Sequence, residues 1–313
     1  MWRAVGLAAA VLLGPGAEGC STIVAGPKAT KDGSTFASHS NDGGGSTDGR
    51  LVRVPARDHP AGAQRPIYYA TEDYPRYVGP DLGPSYMSTW PGGAAGYNNS
   101  EAIGHIPQVS HTFAYFVATY GVMNEHQVAF GEGTCGCLFG AKPVNKGGKA
   151  LLSIDTMSQI GLERAKTARE AVQIMGDLAV QYGFYGEGFE GSGESLMVID
   201  PSNAWVFHVS PDPTGASAIW AAQRVPDDHV AVVDNMYAIR EIDADDSDSF
   251  LFAPKMHQIA QEQKLWKPAD GPLDFAGVFS SGETATSTTP GAGCGAPSTC
   301  SRRLLGSRRT TEI

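Results

Sequence analysis

The sequence predicts an α+β fold, in which helices pack on antiparallel sheet. Segments of β-branched or alternating apolar residues come first, helical segments follow, and short strands joined by tight turns come after them. Strands and helices do not alternate one by one, as they would in a βαβ repeat. The 313-residue chain, 42% hydrophobic, is also long enough to bury a sizeable core.

The N-terminal part of the chain predicts strands separated by loops. Residues 21–25 are β-branched and apolar, and residues 34–39 alternate after a Lys-Asp-Gly turn. The Gly, Ser and Asp of residues 41–49 predict a loop, and 51–54 form a third extended piece. Residues 55–110 carry many Pro, Gly and Tyr with little periodicity, so they predict ordered loops over one face.

The middle of the chain combines a hairpin with a pair of helices. Residues 111–120 and 127–132 predict paired strands with a bend between them. A first helix is expected over 153–165. The second begins at the capping box Thr167-Ala-Arg-Glu170 and ends at Gly183.

The C-terminal part predicts further hairpins and one helix. Residues 195–199 pair with 204–209 across the turn Asp-Pro-Ser-Asn, and 218–223 pair with 229–233. Residues 252–265 predict a helix.

Residues 1–19 have the pattern of a secretory signal peptide. One positive charge precedes the small and apolar run Ala4–Leu13, and Ala17-Glu18-Gly19 fits the small-x-small cleavage pattern. The run is too short to span a bilayer, which takes about 20 apolar residues. An apolar N-terminal strand or an over-long gene start are the alternatives, and Glu18 suits a lipoprotein signal poorly.

Removal of this signal would leave a domain over residues 20–279 and a tail over 280–313. The tail begins with a stretch of Ser, Thr, Gly, Ala and Pro that cannot bury a core, so we expect it to be disordered. We therefore expect a secreted protein, or one of the secretory-pathway or vacuolar lumen, with no membrane attachment after signal removal.

Charge and cysteine content exclude several classes of function. A formal net charge of −10 gives the chain no electrostatic reason to bind nucleic acid or an anionic membrane. The histidines have no metal-ligand spacing with carboxylates or cysteines, so we expect no metal and no cofactor. An odd number of cysteines leaves at least one thiol outside disulfides; they are Cys20, Cys135, Cys137, Cys294 and Cys300.

Cys20 is the candidate nucleophile. If cleavage falls between Gly19 and Cys20, one residue carries both a thiol and a free α-amine. A thiol is a weak nucleophile until a base takes its proton, and an α-amine with a pKa of about 7.7–8.0 suits that task. Composition alone leaves a buried or disulfide-bonded structural cysteine equally open.

Blocks of sequence in the right order resemble the cysteine dipeptidases of the dipeptidase A and secernin type, a class of N-terminal nucleophile hydrolases. The start is Cys-Ser-Thr-Ile-Val-Ala from Cys20, and the strongest block is Tyr-Gly-Val-Met-Asn-Glu-His-Gln-Val-Ala-Phe-Gly-Glu-Gly-Thr-Cys over 120–135. Further blocks lie at 162–171, 204–208 and 234–240. The resemblance implies an αββα sandwich.

The same resemblance implies roles for individual residues. Cys20 matches the nucleophile, Asp42 the acid that holds the nucleophile and its amine, and Asn124 the amide that stabilises the oxyanion. Asn235 matches a second polar residue of the site. His39 stands where better-known relatives have a substrate-binding arginine. Asp42 and Asn124 also lie where turn residues are common.

The function implied is hydrolysis of small peptides by a cysteine-type dipeptidase through an acyl-enzyme. Family chains continue well past the end of this one, so the resemblance implies a domain that is incomplete at its C-terminal end. The alternatives are an acyl-amide amidase of the penicillin and bile-acid acylase kind, or an inactive secreted member with a binding role. The oligomeric state stays open.

Overall fold

The computed structural model describes residues 20–40, 51–70, 101–118, 120–186 and 191–281. The predicted signal peptide, the loop over 41–49 with Asp42, and the predicted disordered tail from residue 282 onward lie outside the described residues. No helix in the described ranges is both long enough and apolar enough to cross a bilayer.

A small antiparallel sheet contains the N-terminal strands. Its spatial order is β14-β1-β2, with bounds Ser21–Ala25 (β1), Phe36–Ser40 (β2) and Val230–Val233 (β14). β1 is therefore the central strand of this sheet. Thr22 and Val24 of β1 are buried, whereas Ser21 and Ile23 between them are partly exposed, so one face of β1 points into the core.

A larger antiparallel sheet, the main sheet, lies against the small one. In spatial order its strands are Phe250–Phe252 (β16), Ala218–Val225 (β13), Ala204–Pro211 (β12), Ser192–Ile199 (β11), Ala129–Gly136 (β10), Gly121–Asn124 (β9), Tyr115–Val117 (β8) and Val52–Val54 (β3). Every residue of β11 and β12 is buried, because both faces of the main sheet are covered there. The hairpin predicted around 200–203 is confirmed as β11 and β12.

The prediction that residues 218–223 and 229–233 form a hairpin is wrong. β13 pairs with β12 and β16 in the main sheet, whereas β14 pairs with β1 in the small sheet. The turn at 226–229 carries the chain from one sheet to the other, and it is fixed by backbone hydrogen bonds with Gly26 and Lys28. An alternating pattern identifies a strand but not its partner, so the sequence pattern did not reveal this crossover.

Helices α1 (Ile154–Arg164) and α2 (Ala168–Tyr182) pack on the face of the main sheet away from the small sheet. Both were predicted within a residue or two, because their N-caps are local signals: Ser153 Oγ accepts from Thr156 N–H, and Thr167 Oγ1 accepts from Glu170 N–H. Gly176 of α2 lies directly on the Trp220 ring of β13.

Elsewhere the predicted elements need correction. The helix expected over 252–265 is shorter, Met256–Glu262 (α3), because Phe250–Phe252 pairs with β13 as a strand. Phe275–Phe279 (α4) is a further short helix. Residues 55–110, expected to be loop, contain the strands Arg57–Asp58 (β4), Gln64–Tyr68 (β5) and Ala102–Pro107 (β6); β5 pairs with β6, and β4 pairs with His111–Thr112 (β7). The predicted pairing of 111–120 with 127–132 is wrong, because β9, at the expected bend, lies between β8 and β10. Glu241–Ile242 (β15) and Leu273–Asp274 (β17) also pair.

The result is a sheet-dominated mixed α/β fold with facing sheets and helices on the outer face of the larger one. On the outer face of the small sheet, Phe36, Val230 and Val232 are 50%, 41% and 37% exposed. Within the described part of the chain, no helix covers these side chains. The described residues therefore form a helix–sheet–sheet arrangement, and the αββα sandwich stays a prediction.

Candidate active site

Cys20 lies directly before β1, between the small sheet and the main sheet. Its exposed fraction is 7%. Because side chains alternate along a strand, Cys20 shares the inward face of β1 with Thr22 and Val24. The main sheet therefore forms the floor beneath this thiol.

That floor is a strip of glycine backbone in β10. A Cβ atom added at Gly133 would lie 3.8 Å from Cys20 Cβ and 3.6 Å from Thr22 Cγ2. A Cβ added at Gly131 would lie 3.4 Å from His39 Cβ. The absence of side chains at these alternate positions lets the small sheet, with Cys20, Thr22 and His39, approach β10 closely.

His39 is brought to the same side of the small sheet as Cys20. It pairs with Thr22 across β1 and β2, and its ring lies edge-on to Tyr120 with a centroid separation of 6.3 Å. His39 stays exposed to solvent, and partial desolvation of its ring lowers its pKa, although a hydrogen bond with the Glu132 backbone partly opposes this. His39 is therefore mainly neutral at pH 7, whereas the arginine of better-known relatives at this position would be positively charged.

Asn235 is also brought to the site, by a short segment that follows β14. Asn235 Nδ2 donates to the backbone oxygen of Thr134, next to Gly133, at 2.6 Å. The preceding residue, Asp234, accepts a hydrogen bond from Ser21 Oγ at 2.9 Å, next to Cys20. Consecutive residues of this segment therefore bind the small sheet and the main sheet, each next to a residue that neighbours Cys20 or Gly133.

Asn124 lies elsewhere, and its amide is fully used. Nδ2 donates to the backbone oxygens of Leu162 and Ala165 at 2.9 and 2.8 Å, and Oδ1 accepts from the N–H groups of His126 and Val128, both at 3.0 Å. These bonds close the β9–β10 turn and hold the end of α1.

The oxyanion role of Asn124 stays a prediction, and these hydrogen bonds argue against it. Asn124 binds Val128, just before β10, whereas Cys20 lies against Gly133 within β10. Val128 and Gly133 are separated by five positions, about 16 Å along an extended strand. Neither hydrogen of the Asn124 amide points to the thiol, since both are donated to carbonyl groups of the α1 end. Asn124 therefore lies in a turn, as expected, and its amide is committed to backbone groups of that turn and of the α1 end. Asp42, outside the described residues, keeps its predicted role untested.

None of the described cysteines, Cys20, Cys135 and Cys137, is in a disulfide. Burial raises the pKa of the Cys137 thiol to about 11, and that thiol donates to the backbone oxygens of Phe139 and Gly191. Burial also raises the pKa of Cys135 strongly. Both are therefore inert at neutral pH, so Cys20 is the candidate nucleophile among them.

A buried polar chain runs across the inward face of the main sheet beside this site. Cys135 Sγ and Ser195 Oγ are 3.0 Å apart, and Ser195 Oγ and His208 Nδ1 are 2.6 Å apart. Sequence reasoning missed this chain because it depends on the pairing register of β10, β11 and β12. The alternation Gly131-x-Gly133-x-Cys135 was the available signal, since it places these residues on one face.

A cavity of ≈ 220 Å³ lies away from Cys20, between α1 and the β5–β6 pair. Two of its buried charged groups pair with each other: Arg65 Nε and Nη2 donate to the Glu163 carboxylate at 2.7 and 2.8 Å, and Tyr115 Oη donates to the same carboxylate. We assign this cluster to structure, because its charged groups already bond to one another.

A thiol held between facing sheets, over a bare glycine strip and beside an amide-bearing segment, defines a candidate cysteine hydrolase. The chain belongs to peptidase family C69, whose sequence model matches residues 19–289. It is similar to a probable dipeptidase of Latilactobacillus sakei, 26% identical over 269 residues, which are 83% of this chain and 48% of that protein. A probable dipeptidase of Salmonella dublin is 30% identical over 132 residues, 42% of this chain and 28% of that protein.

The chain thus spans less than half the length of these relatives. The family membership confirms the resemblance found in the sequence.

Proposed function

We propose that this protein is a secreted cysteine-type dipeptidase whose nucleophile is Cys20. The observation that carries the proposal is the position of Cys20 over Gly133. Asp234 accepts a hydrogen bond from the Ser21 side chain, and Asn235 donates one to the Thr134 backbone. Membership of a peptidase family and similarity to probable dipeptidases support the choice of peptide substrates.

In the proposed reaction, removal of residues 1–19 frees the α-amine of Cys20. The amine takes the thiol proton, and Cys20 Sγ attacks the scissile carbonyl. The resulting ammonium protonates the leaving amine, which departs and leaves a thioester on Cys20. A water molecule, deprotonated by the same amine, then releases the acid and restores the thiol. Export of the protein through the secretory pathway is part of this proposal, because the mechanism needs cleavage before Cys20.

The oxyanion needs a donor other than Asn124. Asn235 Nδ2 carries two hydrogens, and one of them is donated to Thr134 O. We assign the second hydrogen to the oxyanion that forms when Cys20 attacks. A neutral donor of this kind stabilises negative charge that develops only in the transition state.

His39 binds substrate as a neutral hydrogen-bonding group in this scheme. Its position over Gly131 places it on the Cys20 side of the small sheet. Since its pKa is lowered, it does not supply the fixed positive charge of an arginine at neutral pH.

The test is hydrolysis of unblocked dipeptides compared with hydrolysis of N-acyl amines by the purified protein. We expect dipeptides to be cleaved and acyl amines to be spared, and we expect Cys20→Ala to abolish cleavage without changing the melting temperature. Cys137→Ser is the matched control, because it alters a buried thiol away from the site and retains activity.

Intact-mass analysis supplies the second half of the test. The active protein should begin at Cys20. Full dipeptide hydrolysis by Cys20→Ala, or by a chain that keeps residues 1–19, would refute the assignment. Cleavage of acyl amines in preference to dipeptides would move the protein to the amidase alternative.

A further inference from the structure

A buried histidine, His208, connects strand β11 of the main sheet with the segment that follows β14. It lies on β12 with no exposed surface, on the face of the main sheet that carries Gly133 and Cys135. On one side its Nδ1 meets Ser195 Oγ at 2.6 Å. On the other side its Nε2 accepts from the backbone N–H groups of Ala238 and Ile239, at 2.9 and 3.3 Å.

These contacts determine the tautomer of the His208 ring. Nε2 receives backbone donors, so it carries a lone pair and the ring proton is on Nδ1. Nδ1–H then donates to Ser195 Oγ, and the Ser195 hydroxyl donates to Cys135 Sγ, 3.0 Å away. The ring is packed between Tyr237 and Phe275, and desolvation lowers its pKa to about 3, so it stays neutral over the working range of the protein.

Both ends of this hydrogen-bonded chain finish beside the residues that we place at the active site. Cys135 follows Thr134, the residue whose backbone oxygen accepts from Asn235. Ala238 and Ile239 follow Asn235 by three and four positions in the same segment. His208 therefore fixes the segment that carries Asn235 relative to the strand that Asn235 must reach.

An apolar side chain at position 208 would fill the same core space but would not fix the position of the segment that carries Asn235. A buried imidazole gives up its hydration, and a fully satisfied hydrogen-bond chain offsets that loss while specifying one arrangement of the groups it joins. The geometry of the chain thus favours a role in alignment over a role in filling volume.

We infer that His208 is a positioning residue for the proposed hydrolysis: its neutral ring holds residues 234–239 so that Asn235 meets Thr134 next to Cys20. This inference rests on the proposed function of the site. His208 does not touch substrate, and it acts through Asn235.

The first test compares His208→Gln with His208→Met. The Gln amide offers an acceptor and a donor with nearly the spacing of the ring nitrogens, whereas Met fills the volume and offers neither. We expect His208→Met to lower kcat for dipeptides by about 10²-fold, the cost of a misplacement near 1 Å, with KM little changed. His208→Gln should recover most of the lost kcat.

A double-mutant cycle then tests whether His208 acts through Asn235. In an Asn235→Ala background, His208→Met should cause little further loss of kcat, because the group that it positions is already absent. Independent, multiplicative losses of kcat would overturn the inference, and so would equal activity of the Gln and Met variants.

Two readouts do not depend on activity. The 15N chemical shifts of His208 in the unmodified protein should show the Nδ1-protonated neutral tautomer. Hydrogen exchange of the Asn235 side-chain amide should be slow in the unmodified protein and in His208→Gln, and fast in His208→Met. A protonated Nε2, or slow exchange in His208→Met, would refute the alignment even if no variant hydrolysed dipeptides.

Failure of the proposed function has a different signature. In that case Cys20→Ala would hydrolyse dipeptides as fast as the unmodified protein, or neither protein would hydrolyse them. This result would not depend on the residue at position 208. The tautomer and the Asn235 exchange would still decide between alignment and simple packing.

Discussion

Replacing Asn124 with alanine removes one buried amide that forms hydrogen bonds in every direction open to it. The backbone oxygens of Leu162 and Ala165 lose their donors, and the N–H groups of His126 and Val128 lose their acceptor. Leu162, Ala165 and Val128 have no exposed surface, so water cannot easily replace the lost partner.

The magnitude follows from these orphaned groups. A buried polar group left without a partner costs about 1–3 kcal/mol. If relaxation satisfies some of the groups and about two stay orphaned, the free energy of unfolding falls by about 2–6 kcal/mol. Turnover per folded molecule should stay close to that of the unmodified protein, because the amide does not reach Cys20.

The assay is urea unfolding of both proteins, with kcat measured per titrated Cys20 thiol. Asn235→Ala is the matched control and should give the opposite pattern: nearly normal stability, since it loses the hydrogen bond to Thr134, and kcat lower by about 10²–10³-fold. A stable Asn124→Ala protein with kcat reduced by that factor would show that Asn124 does serve the oxyanion and that our assignment is wrong.

Asn124→Asp adds a dependence on pH. A carboxylate there faces two carbonyl oxygens, which raises its folded-state pKa above the usual value of about 3.9. A raised carboxyl pKa destabilises the fold at neutral pH, and the loss shrinks as pH falls towards the unfolded pKa. Urea unfolding at pH 7 and pH 5 should therefore show a smaller difference from the unmodified protein at pH 5.

Further predictions concern packing and charge. Gly176→Ala places a Cβ 2.2 Å from the Trp220 ring, so thermal melting should show a loss of about 1–3 kcal/mol. Gly133→Ala adds a methyl in ordinary contact with Cys20 and should keep its melting temperature, whereas the larger Gly133→Val should lower kcat by filling the space near the thiol. Because the pKa of His39 is lowered, the ratio of kcat between His39→Gln and the unmodified protein should be constant from pH 7 to 8, and change only below the usual pKa of about 6.5.

Local signals predicted local structure well. The capping box at Thr167 and the helical periodicity predicted both long helices, since a cap and a 3.6-residue period lie within one stretch of chain. Strand partners were a different matter. Residues 230–233 were correctly predicted as a strand, but their pairing with β1 arises from a crossover between sheets that no short pattern specifies.

The same distinction applies to the site. Cys20 was predicted from its place after a signal-like segment, and Asn235 from the family motif, although the catalytic roles of both stay proposals. His208 and Ser195 were not recognised, because their contact requires β11 and β12 to pair in one particular register. A histidine within an apolar strand is by itself more typical of a satisfied core residue, which is how His208 looks until its partners are seen.

The two asparagines differ in how much of their hydrogen-bonding capacity the fold already uses. An amide has two hydrogens to donate and can accept two hydrogen bonds on its oxygen. Asn124 uses all of this capacity on backbone groups of one turn and one helix end, so nothing remains for a substrate. Asn235 commits one hydrogen to Thr134, and it does so next to the glycine that lies beneath Cys20. The amide of Asn235 thus keeps a donor hydrogen beyond its bond to Thr134, which is why we propose Asn235 and not Asn124 as the oxyanion donor. The proposed role of His208 follows from the same choice, because His208 binds the segment that carries Asn235.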